Sequence, residues 1–231
     1  MYDHNWLTTP KIEENTMKIG IIGAGNMGGG LGKIWAQVGH EVIFSYSRDD
    51  HKLHQLAVSA GENAKVGTPT EAFSQSDVVM LAVWMPFLEE ALRFAGSLDG
   101  KIVMTCVSGL QPDFTGKTIG IATNLKASVA EIIQQSAPTA KVVEAFNITF
   151  AEVIAADSRN FGGDRPSIFY CGNDAAAKKI VAGLIEECGY EAIDAGNLTV
   201  ARSLETLATA WVQFAVASKL FPNLGLKALQ R

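Results

Sequence analysis

The chain has 231 residues, 48% hydrophobic and 19% charged, with a formal net charge of −5. That length supports a sizeable core in one large unit or two smaller ones. An acidic balance with no Lys/Arg cluster argues against a nucleic-acid or anionic-membrane partner, and no apolar run approaches a membrane span. Three cysteines, Cys106, Cys171 and Cys188, are an odd number at no metal-ligand spacing. Neither a disulfide framework nor a metal site is therefore expected, and a reducing cytoplasm is. The polar segment 1–16 lacks the apolar stretch of a signal peptide and is expected to be a flexible arm ahead of Met17.

From Met17 onward, strand and helix patterns alternate. "MKIGIIGAG" (17–25) is a short apolar run ending in glycines, as in a buried parallel strand. "NMGGGLGKIWAQVGH" (26–40) reads as a helix with Met27, Leu31, Ile34 and Trp35 on one side. "EVIFSYS" (41–47) is a second strand, "HKLHQLAVSAG" (51–61) a helix ending at glycine, and "DVVMLAV" (77–83) a strand. "PFLEEALRFAGSL" (86–98) is a helix with proline at its start, where a missing N–H costs nothing. "GKIVMTCV" (100–107) is a strand. Ser128 followed by Glu131 is a capping-box pattern that starts a helix over 128–135, and "AKVVEAF" (140–146) is a further strand. This rhythm predicts a Rossmann-type doubly wound α/β fold with a parallel sheet.

The rhythm changes after residue 147. "PSIFYCG" (166–172) and "YEAID" (190–194) read as strands around a helix at 174–189, and 199–218 is a long helix. Its stripe of Val200, Leu204, Leu207, Trp211 and Phe214 suits core packing or a subunit interface. Residues 17–147 are thus expected to form the dinucleotide-binding domain and 148–231 a smaller α+β C-terminal domain.

Gly23, Gly25 and Gly28 form G-x-G-x-x-G in "GAGNMG", between a strand and a helix. The first glycine permits a tight turn, the second admits a pyrophosphate, and the third lets helix and strand pack closely. Ala24, Asn26 and Met27 complete the loop. Asn26 either bonds the pyrophosphate or caps the helix. About 20 residues on, an NAD enzyme places an acidic residue for the ribose hydroxyls. Here the count lands on Ser47 and Arg48. A guanidinium attracts a 2′-phosphate that a carboxylate would repel, and Ser45 and Ser47 add hydroxyls. The pattern points to NADP(H). Asp49 and Asp50 are read as caps of the following helix.

All four histidines, His4, His40, His51 and His54, lie in the first third of the chain. With no histidine acid/base and no nucleophile set to name, no catalytic residue is assigned. The absence favours a reaction that needs alignment above all, such as hydride transfer between flat rings.

"MKIGIIGAGNMGGGLGKIWAQVGHEVIFSYSR", "DVVMLAV", "GKIVMTCVSGLQPDF", "KVVEAFN", "CGND" and "DAGNLTVARSLE" together resemble the coenzyme F420-dependent NADP oxidoreductase family, from about residue 17 to the C-terminus. A more distant likeness is to the NADPH-binding domain of membrane ferric reductases. The resemblance implies hydride transfer between NADP(H) and a small-molecule acceptor, either coenzyme F420 or a flavin such as FMN or FAD. It also implies a homodimer. Ala82, Val83 and Trp84 match positions facing the nicotinamide half, as do Cys106 and Ser108. Ala145, Phe146 and Asn147 match the block that closes the site. Trp84-Met85-Pro86 and Val107-Ser108-Gly109 depart from the family pattern near the redox end.

Trp84 is either a stacking surface or a packing aromatic. Cys106 is either a redox thiol or inert. Glu205 is expected to pair with Arg202 or Lys219 and to carry no catalytic role. An imine reductase of the pyrroline-5-carboxylate reductase type, and a non-catalytic NADPH sensor, are the alternatives. The strands at "SIFYCG" and "YEAID" argue against the helical dimer domain of the former.

Overall fold

The structure is a computed structural model and describes residues 16–111, 120–121, 126–229 and 231. All but the last residue of the expected N-terminal arm lies outside the described residues. In chain order the elements are β1 (Lys18–Ile22), α1 (Asn26–Gln37), β2 (Glu41–Ser45), α2 (Asp50–Ala60), β3 (Ala64–Val66), α3 (Pro69–Ser74), β4 (Val78–Leu81), α4 (Leu88–Ala95), β5 (Ile102–Thr105), β6 (Leu110–Gln111), β7 (Gly120–Ile121), α5 (Val129–Ser136), β8 (Lys141–Glu144), α6 (Ala151–Ala155), β9 (Ser167–Gly172), α7 (Ala175–Glu187), β10 (Glu191–Gly196) and α8 (Ala201–Ala217).

Local chemistry sets the helix starts. The Asp49 side chain accepts from the Lys52 N–H at 3.0 Å and caps α2, as read from sequence. Ser128 and Glu131 form the full capping box that opens α5. The same device opens α3, where Thr68 pairs with Glu71 and Pro69 sits at the first helical position. That helix was legible as T-P-T-E but was not among the sequence expectations, and neither was the three-residue β3. The β6–β7 pair and α6 were also missed, since two-residue strands and a five-residue helix carry no period.

Eight strands form one sheet in the order β10-β9-β8-β5-β4-β1-β2-β3. Neighbours run parallel from β3 to β8 and again from β9 to β10. The sheet is thus doubly wound and mostly parallel, as expected. β9 alone runs antiparallel to its neighbour β8, with Val143 opposite Gly172 and Glu144 opposite Cys171. The chain leaving β8 does not cross back before it re-enters the sheet. The turns and α6 over 145–166 therefore stay at the C-terminal end of the parallel strands, where ligands bind in open α/β sheets.

Residues 148–231 contribute β9 and β10 to this same sheet, so it runs through the boundary placed at 147. Both "SIFYCG" and the segment after "CGY" are strands. The inner strands of the sheet are buried on both faces, which suits their runs of Ile and Val. One face packs Val79, Leu81, Val103 and Val142 against α5 and α8. The other packs Ile19, Ile21, Phe44 and Met104 against α1 and α7. The Trp35 indole N–H donates to the Leu184 carbonyl at 3.0 Å and ties α1 to α7 inside that second face. Of the α8 stripe, Leu204 and Trp211 are buried and Phe214 is exposed. His40 lies away from these strand ends. Its Nδ1 accepts from the Met17 N–H at 3.0 Å and its Nε2 faces Glu187 at 2.8 Å, a structural clamp.

Candidate functional site

Strand order reverses at β1, which has β2 on one side and β4 on the other. A cleft of about 900 Å³ opens at the C-terminal ends of these strands. That is near the upper end of ordinary ligand-pocket volumes.

Its first half is the glycine loop. Gly23 has a φ of +101°, and a Cβ there would lie 2.5 Å from the Ala82 carbonyl oxygen. Only glycine makes this turn cheaply. A Cβ on Gly28 would lie 2.2 Å from the Gly23 carbonyl oxygen. Gly28 is therefore buried and permits close packing of helix on strand, while the cleft is lined by Gly23, Ala24, Gly25, Asn26 and Met27. A Cβ on Gly25 would meet nothing within 4 Å, so that side of the loop is open. α1 begins with no side-chain cap and no acidic residue in its first turn. Its free N–H groups and positive end face an open space, an arrangement that suits an anion. These features fit a dinucleotide pyrophosphate. Asn26 does not cap the helix: Gly25 is the N-cap residue.

Beyond β2, Tyr46 has a φ of +56° and turns the chain into the cleft. Ser47 and Arg48 follow and line it. The Ser47 hydroxyl donates to the Asp49 carbonyl at 3.1 Å and accepts from the Asp49 N–H. The Arg48 guanidinium lies 4.3 Å from the centre of the Phe87 ring, a cation–π contact that holds it at the cleft. Asp49, occupied with its helix cap, does not line the cleft. The Tyr46 phenol donates to Glu90 at 2.8 Å. Burial, then that carboxylate, raises its pKa.

The second half comes from the ends of β4, β5 and β8. Ala82, Val83 and Trp84 line it after β4, Cys106, Val107 and Ser108 after β5, and Asn147 after β8. Trp84 is 61% exposed, so it is not a packing aromatic. Cys106 lies on the wall, yet desolvation pushes its thiol up to about 12. That shift favours the neutral thiol. Phe146, at φ +64°, is a strained non-glycine residue, wedged edge-on against Trp35 and Tyr190. The strain follows from the turn that brings Asn147 into the lining. Neither the oxygen nor the nitrogen of the Asn147 carboxamide has a partner among the described residues.

Besides Gly28 and Phe146, which are buried behind the lining, two expected residues are not brought to the cleft. Ser45 is fully buried and its hydroxyl donates to the Ile21 carbonyl at 2.7 Å, because residue 45 still belongs to β2 and points inward. Ala145 is fully buried in the core beside Phe146. A third expectation is also corrected. Arg202 pairs with Glu131 through two hydrogen bonds of 2.7 Å, and no ion pair joins Glu205 to Lys219 among the described residues. Glu205 is buried instead. Sequence reasoning missed Tyr46, Phe87, Glu90 and Thr149, which line the cleft from two turns and from the start of α4 with no motif of their own. Among the described residues no group of His, Cys, Asp and Glu could hold a metal ion, and no helix is long and apolar enough to cross a membrane.

A glycine loop at the strand-order reversal, opening an uncapped helix, defines a dinucleotide-binding protein of the doubly wound class. Comparison with known proteins narrows this. The family model "NADP oxidoreductase coenzyme F420-dependent" matches residues 18–109. The chain is 31% identical over 203 residues to the F420-dependent NADP reductase of Methanocaldococcus jannaschii, covering 83% of this chain and 89% of that protein. It is 27% identical over 197 residues to the metalloreductase STEAP3 of Rattus norvegicus, covering 85% of this chain but only 37% of that longer relative. A crystal structure of a candidate F420-dependent NADP reductase from Arthrobacter sp. FB24 superposes with a TM-score of 0.82 at 29% identity, covering 93% of this chain and all of that one. The chain belongs to the F420-dependent NADP reductase family and is an NADP-dependent oxidoreductase.

Proposed function

We propose that this protein transfers a hydride between NADPH and a flat deazaflavin or flavin-like acceptor, coenzyme F420 or a flavin such as FMN or FAD. The observation that carries this reading is the continuity of the cleft, from an uncapped helix N-terminus to an exposed indole at the opposite wall. Family membership supports it.

When bound, NADPH supplies the hydride, and the protein contributes alignment. In this reading the main-chain N–H groups of residues 25–27 hold the pyrophosphate, and Arg48 with Ser47 holds the 2′-phosphate. The Asn147 carboxamide, buried and unpaired behind the cleft wall, carries two N–H donors and an acceptor that a small rotation would turn to an amide on the reacting ring. Ala82, Val83, Cys106 and Ser108 form the small-residue wall against which that ring lies. Trp84 gives the acceptor a stacking face. Residues 148–231 close this side of the cleft through Thr149 and Glu152. The exposed Phe214, Val216 and Leu220 supply an apolar face for the expected homodimer, which sedimentation would test. Three free cysteines suit a reducing cytoplasm.

The test is NADPH oxidation without oxygen, with F420, FMN, FAD and a ferric chelate in parallel and NADH as the control. Rapid oxidation with F420 or a flavin is expected. Tight NADPH binding with no turnover for any acceptor would replace this reading with that of a sensor.

A further inference from the structure

The turn that carries Ser47 and Arg48 is held from outside its own stretch of chain. β2 ends at Ser45, whose carbonyl still accepts from the Gly23 N–H at 3.2 Å. Tyr46 then takes a φ of +56°, a left-handed conformation that disfavours a bulky side chain. Among the described residues, no main-chain hydrogen bond ties residues 46–48 to another element. Side-chain contacts must therefore offset the strain of this turn.

Those contacts go to one helix. In α4, Leu88, Ala91 and Ala95 are buried in the core, which fixes the helix against the sheet. Phe87, Glu90 and Phe94 lie one stripe over, at i, i+3 and i+7. Glu90 accepts from the Tyr46 phenol at 2.8 Å. The Phe94 ring lies 6.3 Å from the Tyr46 ring at a tilt of 48°. Phe87 backs the Arg48 guanidinium. Tyr46, Arg48, Phe87 and Glu90 all line the cleft. The chemistry of the phosphate turn is local, but its hold comes from a helix residue 44 positions on. An unengaged carboxylate on this wall would oppose a phosphate. Bound to the phenol, with Arg48 and Arg93 nearby, Glu90 serves as an anchor instead.

We propose that Tyr46 and Glu90 are positioning residues for coenzyme choice: their hydrogen bond holds the strained turn against α4 and so keeps Arg48 in place for the 2′-phosphate of NADPH. The pair acts through Arg48 rather than on the phosphate. Loosening it should remove much of the advantage of NADPH over NADH, which has no 2′-phosphate. Placing the 2′-phosphate at Arg48 rests on the proposed function.

The test is binding of NADPH, NADH and 2′,5′-ADP to the full chain, by calorimetry at one ionic strength. Tyr46→Phe removes only the hydroxyl. Kd for NADPH and for 2′,5′-ADP should rise about three- to tenfold, while Kd for NADH stays within about twofold. Glu90→Ala should give the same loss, and the double variant no more than either, because the two residues share one interaction. Glu90→Gln keeps an oxygen acceptor for the phenol and should stay within about twofold of the wild type for all three ligands. Unchanged NADPH binding in Tyr46→Phe, or equal losses for NADPH and NADH, would overturn the proposal. So would tighter NADPH binding in Glu90→Ala, which would make Glu90 a repulsive neighbour. Arg48→Ala separates the proposal from the reading beneath it. Selective loss of NADPH in Arg48→Ala beside an unchanged Tyr46→Phe overturns the positioning pair alone. Equal loss of both coenzymes in Arg48→Ala overturns the placement of the 2′-phosphate, and the pair's role with it.

Discussion

The two halves of the cleft are built by different kinds of chain. The nucleotide half comes from one local stretch, residues 23–48, in which each residue's job follows from its neighbours in sequence. The other half is gathered from the ends of three strands, with Trp84, Ser108 and Asn147 lying far apart along the chain. Its positions are set by long-range contacts: a strained Phe146 wedged between Trp35 and Tyr190, and a main chain held at Gly109 from α8. The difference teaches that a phosphate cradle can be carried by a short motif, whereas a flat-ring wall depends on packing throughout the fold.

Substitutions should separate the halves. The largest effect is expected from Gly28→Val, since any Cβ there collides with the Gly23 carbonyl. NADPH binding should fall below detection by calorimetry, with a stability loss of about 1–3 kcal/mol on denaturant titration. Retained binding would break the account of the loop. Arg48→Ala should weaken NADPH by about ten- to a hundredfold, the equivalent of one charge-assisted bond of about 1.5–3 kcal/mol, and leave NADH within twofold. Equal loss for both coenzymes would remove Arg48 from the 2′-phosphate.

Trp84→Ala should raise KM for the flat acceptor by about two- to tenfold, from a stacking contribution of about 0.5–1.5 kcal/mol. NADPH affinity should be unchanged; a change in both would mean that the halves are not separable at this residue. The smallest effect is on stability alone. Arg202 holds Glu131 down to about 2, and Glu131→Gln keeps the capping contacts while losing the ion pair. Because Arg202 is half exposed, the loss should be at most about 1 kcal/mol at neutral pH. Glu131 is depressed in the folded state, so its contribution is present above about pH 4.5 and lost as pH falls through about 2. The variant and wild type should therefore converge in acid melts.

Legibility in the sequence follows the same division. The alternation of apolar runs and helical patterns made the doubly wound sheet readable, as did Ser128–Glu131 and the Gly23–Gly28 loop, because each is a local rule. The antiparallel entry of β9 was not readable: "SIFYCG" has the same pattern in either direction. Ser45 was misplaced because it is the last residue of β2 and points inward, whereas Ser47 follows the turn at Tyr46, whose positive φ breaks the strand's alternation and carries the chain to the cleft. Glu205 looked like a surface partner for Arg202 because helical spacing does not show depth. Its partners are the main-chain N–H groups of Val129 and Gly109, 76 and 96 positions away, and no local pattern links them.

The most direct measurement of the central claim is a single turnover of the protein with F420 and NADPH deuterated at the nicotinamide C4, using each face's label in turn. The account predicts that one of the two labels appears in reduced F420 at its ring carbon, with a primary isotope effect on the rate. Both labels remaining in NADP, or deuterium released to solvent without reaching F420, would contradict hydride transfer between two aligned rings in this cleft.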